Sequence, residues 1–197
     1  EQIMNKVTLS VAAIAALAPV YAQAAEELTE EQKAAMIEAK KAAIDEIRIK
    51  LNAAANHIET NDPNVKEEWL LELSKITVEM NKAYDDDKLL EITDLQKKTW
   101  EANIDDAQSK ADQFQKPYDA KAELDKAYLA LEELYNGALA EAGNTTKYPY
   151  TSETKVAELK TYGVEAIGDK IKGYDLTDTK IVDEKVGVLS KIKTATN

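Results

Sequence analysis

Apolar residues return every three or four positions along most of this chain, and this spacing is what most constrains its fold. Ile37, Ile44, Leu51 and Ile58, for example, recur every seven residues. Because an α-helix repeats about every 3.6 residues, this spacing places apolar side chains on one helical face. The pattern predicts six helices, at about residues 30–59, 63–83, 87–115, 118–142, 153–172 and 178–194.

Short polar sequences mark where these helices begin and end. Thr29-Glu30-Glu31-Gln32 is a capping box, in which the threonine and glutamine side chains each accept a hydrogen bond from the other's backbone amide. Asp62-Pro63 predicts an N-cap followed by proline in the first turn. Asp85-Asp86-Asp87 predicts the start of the third helix. Pro117 predicts either a kink or a helix restart, because proline removes a backbone hydrogen bond.

The predicted helices are too short to bury their apolar stripes alone, whereas three antiparallel helices can shelter one another. We therefore predict an all-α, elongated protein of two tandem antiparallel three-helix bundles, in residues 25–116 and 117–197. Helix starts near 30, 63 and 87 are echoed near 118, 153 and 178, which indicates a repeated layout. Residues 180–189 are β-branched enough to form a strand, but with no partner strand predicted we favour a helix.

The first 24 residues have the features of a bacterial signal peptide. Met4-Asn5-Lys6 begins a basic segment, with residues 1–3 upstream, and residues 7–20 carry no charge. Small residues at Ala22 and Ala24 fit signal peptidase cleavage. The uncharged run is shorter than the roughly 20 residues that span a bilayer. We predict an exported chain, periplasmic, cell-surface or extracellular, with no membrane span after cleavage; the alternative is a buried N-terminal helix.

The composition excludes several kinds of site. The chain has 25 Lys and Arg against 37 Asp and Glu, a net charge of −12, which argues against nucleic acid because phosphate contacts need cations. Without cysteine there is no disulfide, zinc–thiolate site or thiol nucleophile. The single histidine, His57, has no second histidine as a metal partner. Asp85-Asp86-Asp87 lacks the spacing of a calcium loop. We predict no catalytic residue, no metal, no cofactor and no enzymatic activity.

Four tyrosines near the later loops form the one candidate binding surface that the sequence offers. They are Tyr148, Tyr150, Tyr162 and Tyr174. Tyrosine presents a rigid apolar ring with a polar tip, which suits contact with a protein or a carbohydrate. The alternative is that these rings seal the end of a helical bundle, and this alternative is favoured.

The second half of the chain resembles the FIVAR-type three-helix modules of bacterial surface proteins. The residues that carry the resemblance are Tyr150-Thr151-Ser152 at a helix start, Leu159 and Ala166, and the stretch from Leu176-Thr177 through Val186 to Leu189. It covers about residues 120–194, and departs from the usual pattern at Lys155 and at Tyr162-Gly163. The resemblance implies an extracellular spacer or a binding module, often for carbohydrate.

A second resemblance is to periplasmic stress chaperones that carry LTxxQ sequences. Leu28-Thr29-Glu30-Glu31-Gln32 matches that signature, and Ile92-Thr93-Asp94-Leu95-Gln96 is a near match inside the predicted third helix. The family consists of helical cradles that hold unfolded clients. The alternative is that LTEEQ is simply a good helix start, and that Thr93 caps nothing.

Taken together, these patterns predict a non-enzymatic, exported helical-bundle protein of the bacterial cell envelope. It would act as a spacer or as a module that binds a protein or carbohydrate partner, and we expect a monomer. The alternative is a chaperone-like protein that binds unfolded clients.

Overall fold

The computed structural model describes residues 28–144, 146–147 and 153–197. Within these ranges the regular structure is entirely helical, which confirms the predicted all-α fold. Residues 180–189 are helical, so the strand alternative is wrong. The predicted signal peptide, residues 1–24, lies outside the described residues, as do Tyr148 and Tyr150. None of the described helices has an apolar stretch long enough to cross a bilayer.

The helices follow the predicted order with different bounds. In chain order they are α1 (Glu30–Asn61), α2 (Lys66–Ala83), α3 (Asp86–Leu89), α4 (Asp94–Ala142), α5 (Glu153–Leu159), a π turn (Lys160–Val164), α6 (Glu165–Lys172) and α7 (Lys180–Thr196). Segments α5, the π turn and α6 follow one another without a break and fill the predicted helix 153–172.

Both LTxxQ-like sequences begin helices through the same hydrogen bond. At α1, the Gln32 amide donates to Thr29 Oγ1 over 3.2 Å and the Thr29 amide donates to Gln32 Oε1 over 3.0 Å, which confirms the capping box. At α4, the Gln96 amide donates to Thr93 Oγ1 over 3.1 Å. Thr93, which need not cap anything inside a longer predicted helix, therefore caps the start of α4. The predicted third helix instead divides into the short α3, a turn and α4.

Pro117 lies inside α4, so the helix restart predicted at residue 118 is wrong. A proline has no backbone N–H, so the Gln113 carbonyl lacks its usual helical donor. Pro117 is buried, and Ala111, Ala120 and Leu124 on either side of it are buried too. Burial of these neighbouring apolar positions stabilises the helix through the proline.

The connection between α1 and α2 differs from the predicted Asp62–Pro63 helix start. Residues 62–65 form a turn in which the Val65 amide donates to the Asp62 carbonyl, and α2 begins only at Lys66. The Asn64 amide donates to Oε1 of the buried Gln115 over 3.0 Å, and Gln115 Nε2 donates to Asp119 over 2.8 Å. Because the Asn64 amide already has a side-chain acceptor, the turn replaces the first helical turn.

The chain divides into two compact units. The first comprises the described residues up to Asn61 together with Lys66–Ser109, and the second comprises Asp62–Val65 together with Lys110–Asn197. The division within α4 lies between Ser109 and Lys110, whereas the sequence predicted domains meeting at 116 and 117. Each unit has its own buried apolar residues, contributed by three successive stretches of helix.

The core of the first unit follows the predicted stripes of α1, α2 and the start of α4. Its buried apolar side chains are Ile44, Ile47, Leu51, Ala54, Ile58, Trp69, Leu73, Ile76, Met80, Leu89, Ile92, Trp100, Ile104 and Ala107. Polar contacts at the edge tie the helices together. Arg48 donates to Asn81 between α1 and α2, and the Trp100 indole donates to Glu79 between α4 and α2.

Lys40, which interrupts the apolar stripe of α1, fastens the turn between α3 and α4. Its ammonium group donates to the Leu90 carbonyl over 2.8 Å and to the Ile92 carbonyl over 2.6 Å. Partial burial, with the nearby charge of Lys97, lowers the pKa of Lys40, while Asp94 opposes the shift. The side chain therefore satisfies two carbonyls that follow a helix end and have no helical donors.

We expect Lys40→Met to destabilise the first unit by about 1 to 2 kcal/mol, because it removes two charge-assisted bonds but keeps an apolar stem. Tryptophan fluorescence during denaturant unfolding measures this, since both tryptophans lie in the first unit. Lys75→Met is the matched control, because Lys75 of α2 makes an exposed ion pair with Glu72 at 2.5 Å, of a kind that contributes little. Equal losses in the two variants would contradict the role assigned to Lys40.

The second unit packs α4, the α5–α6 segment and α7 around one apolar cluster. Its buried members are Ala120, Leu124, Leu131, Tyr135, Ala142, Val156, Val164, Ile167, Ile171, Ile181, Val188 and Ile192. The turn before α7 is held by side chains. Asp175 accepts from the amide and hydroxyl of Thr177, and Asp178 accepts from the amide of Lys180, the first residue of α7.

Candidate functional site

The structure describes only part of the predicted tyrosine surface. Tyr148 and Tyr150 lie outside the described residues, and Tyr162 is placed in the π turn without a described side chain. Tyr174 is half-buried against the core of the second unit. Its hydroxyl donates to Glu184 Oε2 over 3.2 Å, and the same oxygen lies 3.3 Å from Lys170 Nζ. Tyr174 therefore links the end of α6 to α7.

Two tyrosines at the edge of this core ionise less readily than usual. Burial raises the pKa of Tyr128 above its ordinary value of 10.0, and Glu132, Asp169 and Glu165 add to the shift. Burial also raises the pKa of Tyr174, helped by its bond to Glu184 and opposed by Lys170. A raised pKa means that the fold favours the neutral phenol, so its stabilisation is present below pH 10.0 and is lost as pH rises through the folded pKa.

We expect the second unit to lose stability above pH 10.0, and the double variant Tyr128→Phe/Tyr174→Phe to lose less over the same pH interval. Circular dichroism of helix content against pH, with tyrosinate absorbance recorded in parallel, measures both. The double variant also loses the Tyr174 hydrogen bond, which changes its stability at every pH. The diagnostic quantity is therefore how steeply helix content falls as pH rises, and not the stability at any one pH. A slope identical in wild type and variant would contradict the prediction.

A π turn interrupts the α5–α6 segment. Its hydrogen bond runs from the Glu165 amide to the Lys160 carbonyl, one residue longer than in an α-helix. Val164, within this turn, is 4% exposed, whereas Leu159, the residue just before it, is 61% exposed. The apolar spacing of the segment predicts Leu159 on the buried face together with Val156, Ile167 and Ile171, and for Leu159 this prediction is wrong.

An open groove lies beside the π turn, and we call it the apolar groove. Its volume is about 830 Å³, and its described lining residues are Leu131, Leu134, Tyr135, Ala138, Lys155, Glu158, Leu159, Gly163, Val164, Thr194, Ala195, Thr196 and Asn197. Leu134 is 53% exposed here, facing the same groove as Leu159. Two large apolar side chains are thus presented to solvent within one concave surface.

A second depression, which we call the lysine cleft, shares Gly163, Thr194 and Ala195 with the apolar groove. Its volume is about 510 Å³, and its other described lining residues are Ala166, Ile167, Lys170, Val188, Ser190 and Lys191. A Cβ added at Gly163 would stand 3.6 Å from the Ala195 Cβ, so the end of α7 lies close against the π turn. The two depressions adjoin along this contact.

Both depressions are lined mainly by apolar side chains, with a few charged side chains among them. Among the described lining residues, Glu158 is the acidic side chain of the apolar groove, and the lysine cleft has none. The Lys160 Nζ atom lies 5.7 Å from the centroid of the Tyr135 ring, within the range of a cation–π interaction, and Tyr135 lines the groove. Such a surface suits an apolar segment of another molecule.

Two other features weighed in the sequence have local structural roles. His57 lies near the end of α1, with its Nδ1 atom 3.1 Å from the Asn61 side-chain nitrogen. Asp85 is the N-cap residue of α3 in extended conformation, which confirms that the aspartate run begins a helix.

The apolar pattern did not identify Leu134 as an exposed residue, and it predicted that Leu159 lies in the core. The sequence carries no signal for the exposure of Leu159. Val156 and Val164 are eight residues apart, and Val164, Ile167 and Ile171 follow at spacings of three and four, all of which are ordinary for one face of an α-helix.

Comparisons of this chain with protein-family models, with curated proteins and with solved structures find no match.

Proposed function

We propose that this protein is a non-enzymatic, exported helical-bundle protein of the bacterial cell envelope, whose second unit binds a protein partner through the apolar groove. The observation that carries the proposal is the exposure of Leu134 and Leu159 on one concave surface. An isolated exposed leucine is ordinary, but two within one groove mark an interaction surface. The resemblance to FIVAR-type modules in residues 120–194 supports the same class of function, a spacer with a binding face.

A protein segment fits the groove better than a carbohydrate does. Carbohydrates are bound through many hydrogen bonds beside an exposed aromatic ring, whereas Tyr135 is buried and the groove is mostly apolar. An amphipathic helix, in contrast, presents apolar side chains at three- and four-residue spacing to such a groove. Covering each half-exposed leucine contributes about 1 kcal/mol, a part of the free energy of binding.

The test uses a fluorescently labelled synthetic peptide, about five helical turns long, with leucines along one face. We expect Leu134→Ser/Leu159→Ser to weaken binding about tenfold in fluorescence anisotropy, because both apolar contacts are lost. Leu129→Ser is the matched control, since Leu129 is 58% exposed on α4 but does not line the groove. Binding that is unchanged in the double variant, or weakened equally by the control, would refute the proposal.

A second function, binding of unfolded clients, is favoured by a separate observation. Thr29 and Thr93 of the two LTxxQ-like sequences each accept a hydrogen bond from the glutamine amide three residues later, so the two sequences share one local structure in this chain. This function predicts suppressed aggregation of a chemically denatured test enzyme, measured by light scattering. Suppression that persists in Leu134→Ser/Leu159→Ser would favour this alternative over the partner-binding groove, and no suppression by the wild type would exclude it.

A further inference from the structure

We infer that the lysine cleft selects an acidic partner, so that the segment bound by the second unit combines apolar residues with carboxylates. The inference rests on the proposed function and adds the charge of the partner to it. Lys170 and Lys191 are the charged residues among the described lining of the cleft, and both are basic. They stand in a chain whose net charge is −12.

The end of α7, on one side of the cleft, is positively charged, unlike the chain as a whole. After Glu184 the sequence contains Lys185, Lys191 and Lys193 and no acidic residue. Lys185 is paired with Glu123 at 2.8 Å, so its charge is compensated. Lys191 is exposed to solvent.

Lys170 stands on the other side of the cleft and is only partly compensated. Its ammonium group is 3.3 Å from Glu184, and both side chains are nearly half exposed. An ion pair of this kind is weak in water, so a carboxylate of a partner can compete for the lysine. Between the two lysines, the floor contains the apolar side chains of Ala166, Ile167 and Val188.

This arrangement of an apolar floor between two cations fits a helical segment whose apolar face is flanked by acidic side chains. Charge complementarity raises the association rate and excludes partners of like charge more than it raises affinity. The cleft also adjoins the apolar groove through Gly163, Thr194 and Ala195, so one amphipathic helix of several turns can contact both surfaces. Such a helix uses that continuity, whereas a compact anion or a lipid headgroup does not.

The experiment compares two labelled peptides that share one leucine pattern and differ only in having glutamate or lysine at the remaining positions. At low ionic strength we expect the wild-type protein to bind the glutamate peptide about tenfold more tightly. Lys170→Glu/Lys191→Glu should invert this preference. Lys172→Glu/Lys180→Glu, which makes the same change in net charge outside the cleft, should keep it.

The possible results distinguish a failure of this inference from a failure of the proposed function. Equal binding of both peptides, with weakening in Leu134→Ser/Leu159→Ser, would overturn the acidic preference and leave the groove as the binding site. A preference lost equally in the control pair would also overturn it, because bulk charge would then be the cause. Absence of binding by either peptide would refute the proposed function itself. Vesicles of phosphatidylglycerol that bind through Lys170 and Lys191 while the glutamate peptide does not would overturn the peptide as occupant.

Discussion

Replacing Trp100 by alanine is expected to destabilise the first unit by about 3 to 5 kcal/mol. Trp100 is 1% exposed and is among the largest fully buried side chains in the described residues. Its removal leaves a cavity between α4 and α2 and also removes the indole hydrogen bond to Glu79, which measures 3.1 Å. Denaturant unfolding followed by the fluorescence of the remaining Trp69 measures the change.

Two further variants separate the causes of that loss. Trp100→Phe keeps an aromatic ring and removes the hydrogen bond, so its effect should be well below that of alanine. Leu95→Ala, also on α4 but 75% exposed, should change stability by less than about 0.5 kcal/mol. A Trp100→Ala loss as small as that of Leu95→Ala would show that Trp100 does not lie in the core.

Replacing Gly168 by alanine is expected to destabilise the second unit by about 1 to 3 kcal/mol. The ring of Tyr128 lies directly over this glycine, and an added Cβ would stand 2.7 Å from its Cζ and hydroxyl oxygen. Because these distances are shorter than a methyl group allows, the end of the Tyr128 side chain must move away from the added methyl group and lose part of its packing. Thermal unfolding followed by circular dichroism measures the loss.

Two other helical glycines serve as controls, because alanine at these positions is expected to stabilise the protein and not to destabilise it. An added Cβ at Gly137 or Gly187 would meet nothing within 4 Å. Alanine at either position should stabilise the protein by about 0.5 to 1 kcal/mol, because alanine has less backbone entropy to lose. In a Tyr128→Ala background, Gly168→Ala should become stabilising as well. Destabilisation that persists without the tyrosine ring would contradict the proposed clash.

The fold class and most of the core could be predicted from the sequence, because burial in a regular helix follows a fixed repeat. Ile44, Leu51 and Ile58 on α1, and Leu73 and Met80 on α2, are buried as the spacing predicted. Capping by Thr29 was predictable for a related reason, since it depends only on residues three positions apart.

The predictions failed where tertiary contacts override the local repeat. The apolar spacing of the sequence also includes Phe114 and Val186, but both are exposed, and Gln115, next to Phe114, and Val188, two residues after Val186, are buried instead. Gln115 is buried because it binds the Asn64 amide, a contact between residues far apart in sequence. No pattern local to α4 carries that information.

The candidate site was even less predictable, because it depends on three separate stretches of helix. Leu134 comes from α4, Leu159 from α5, and Ala195 from α7, and they meet only in the folded unit. The tyrosines predicted from their clustering in the sequence were chosen on residue type alone. Tyr174, the one whose side chain is described, packs against the core, as the favoured alternative anticipated.

The π turn also sets the rotation of α5 relative to α6, because its hydrogen bond spans one residue more than in a regular α-helix. Deleting one residue from 160–164 would restore an ordinary helix and turn α5 by about 100° relative to α6. That edit would carry Leu159 away from its present direction while α6 kept its core contacts. The position of Leu159 in the apolar groove therefore depends on a single residue of chain length and not only on which residues line the groove.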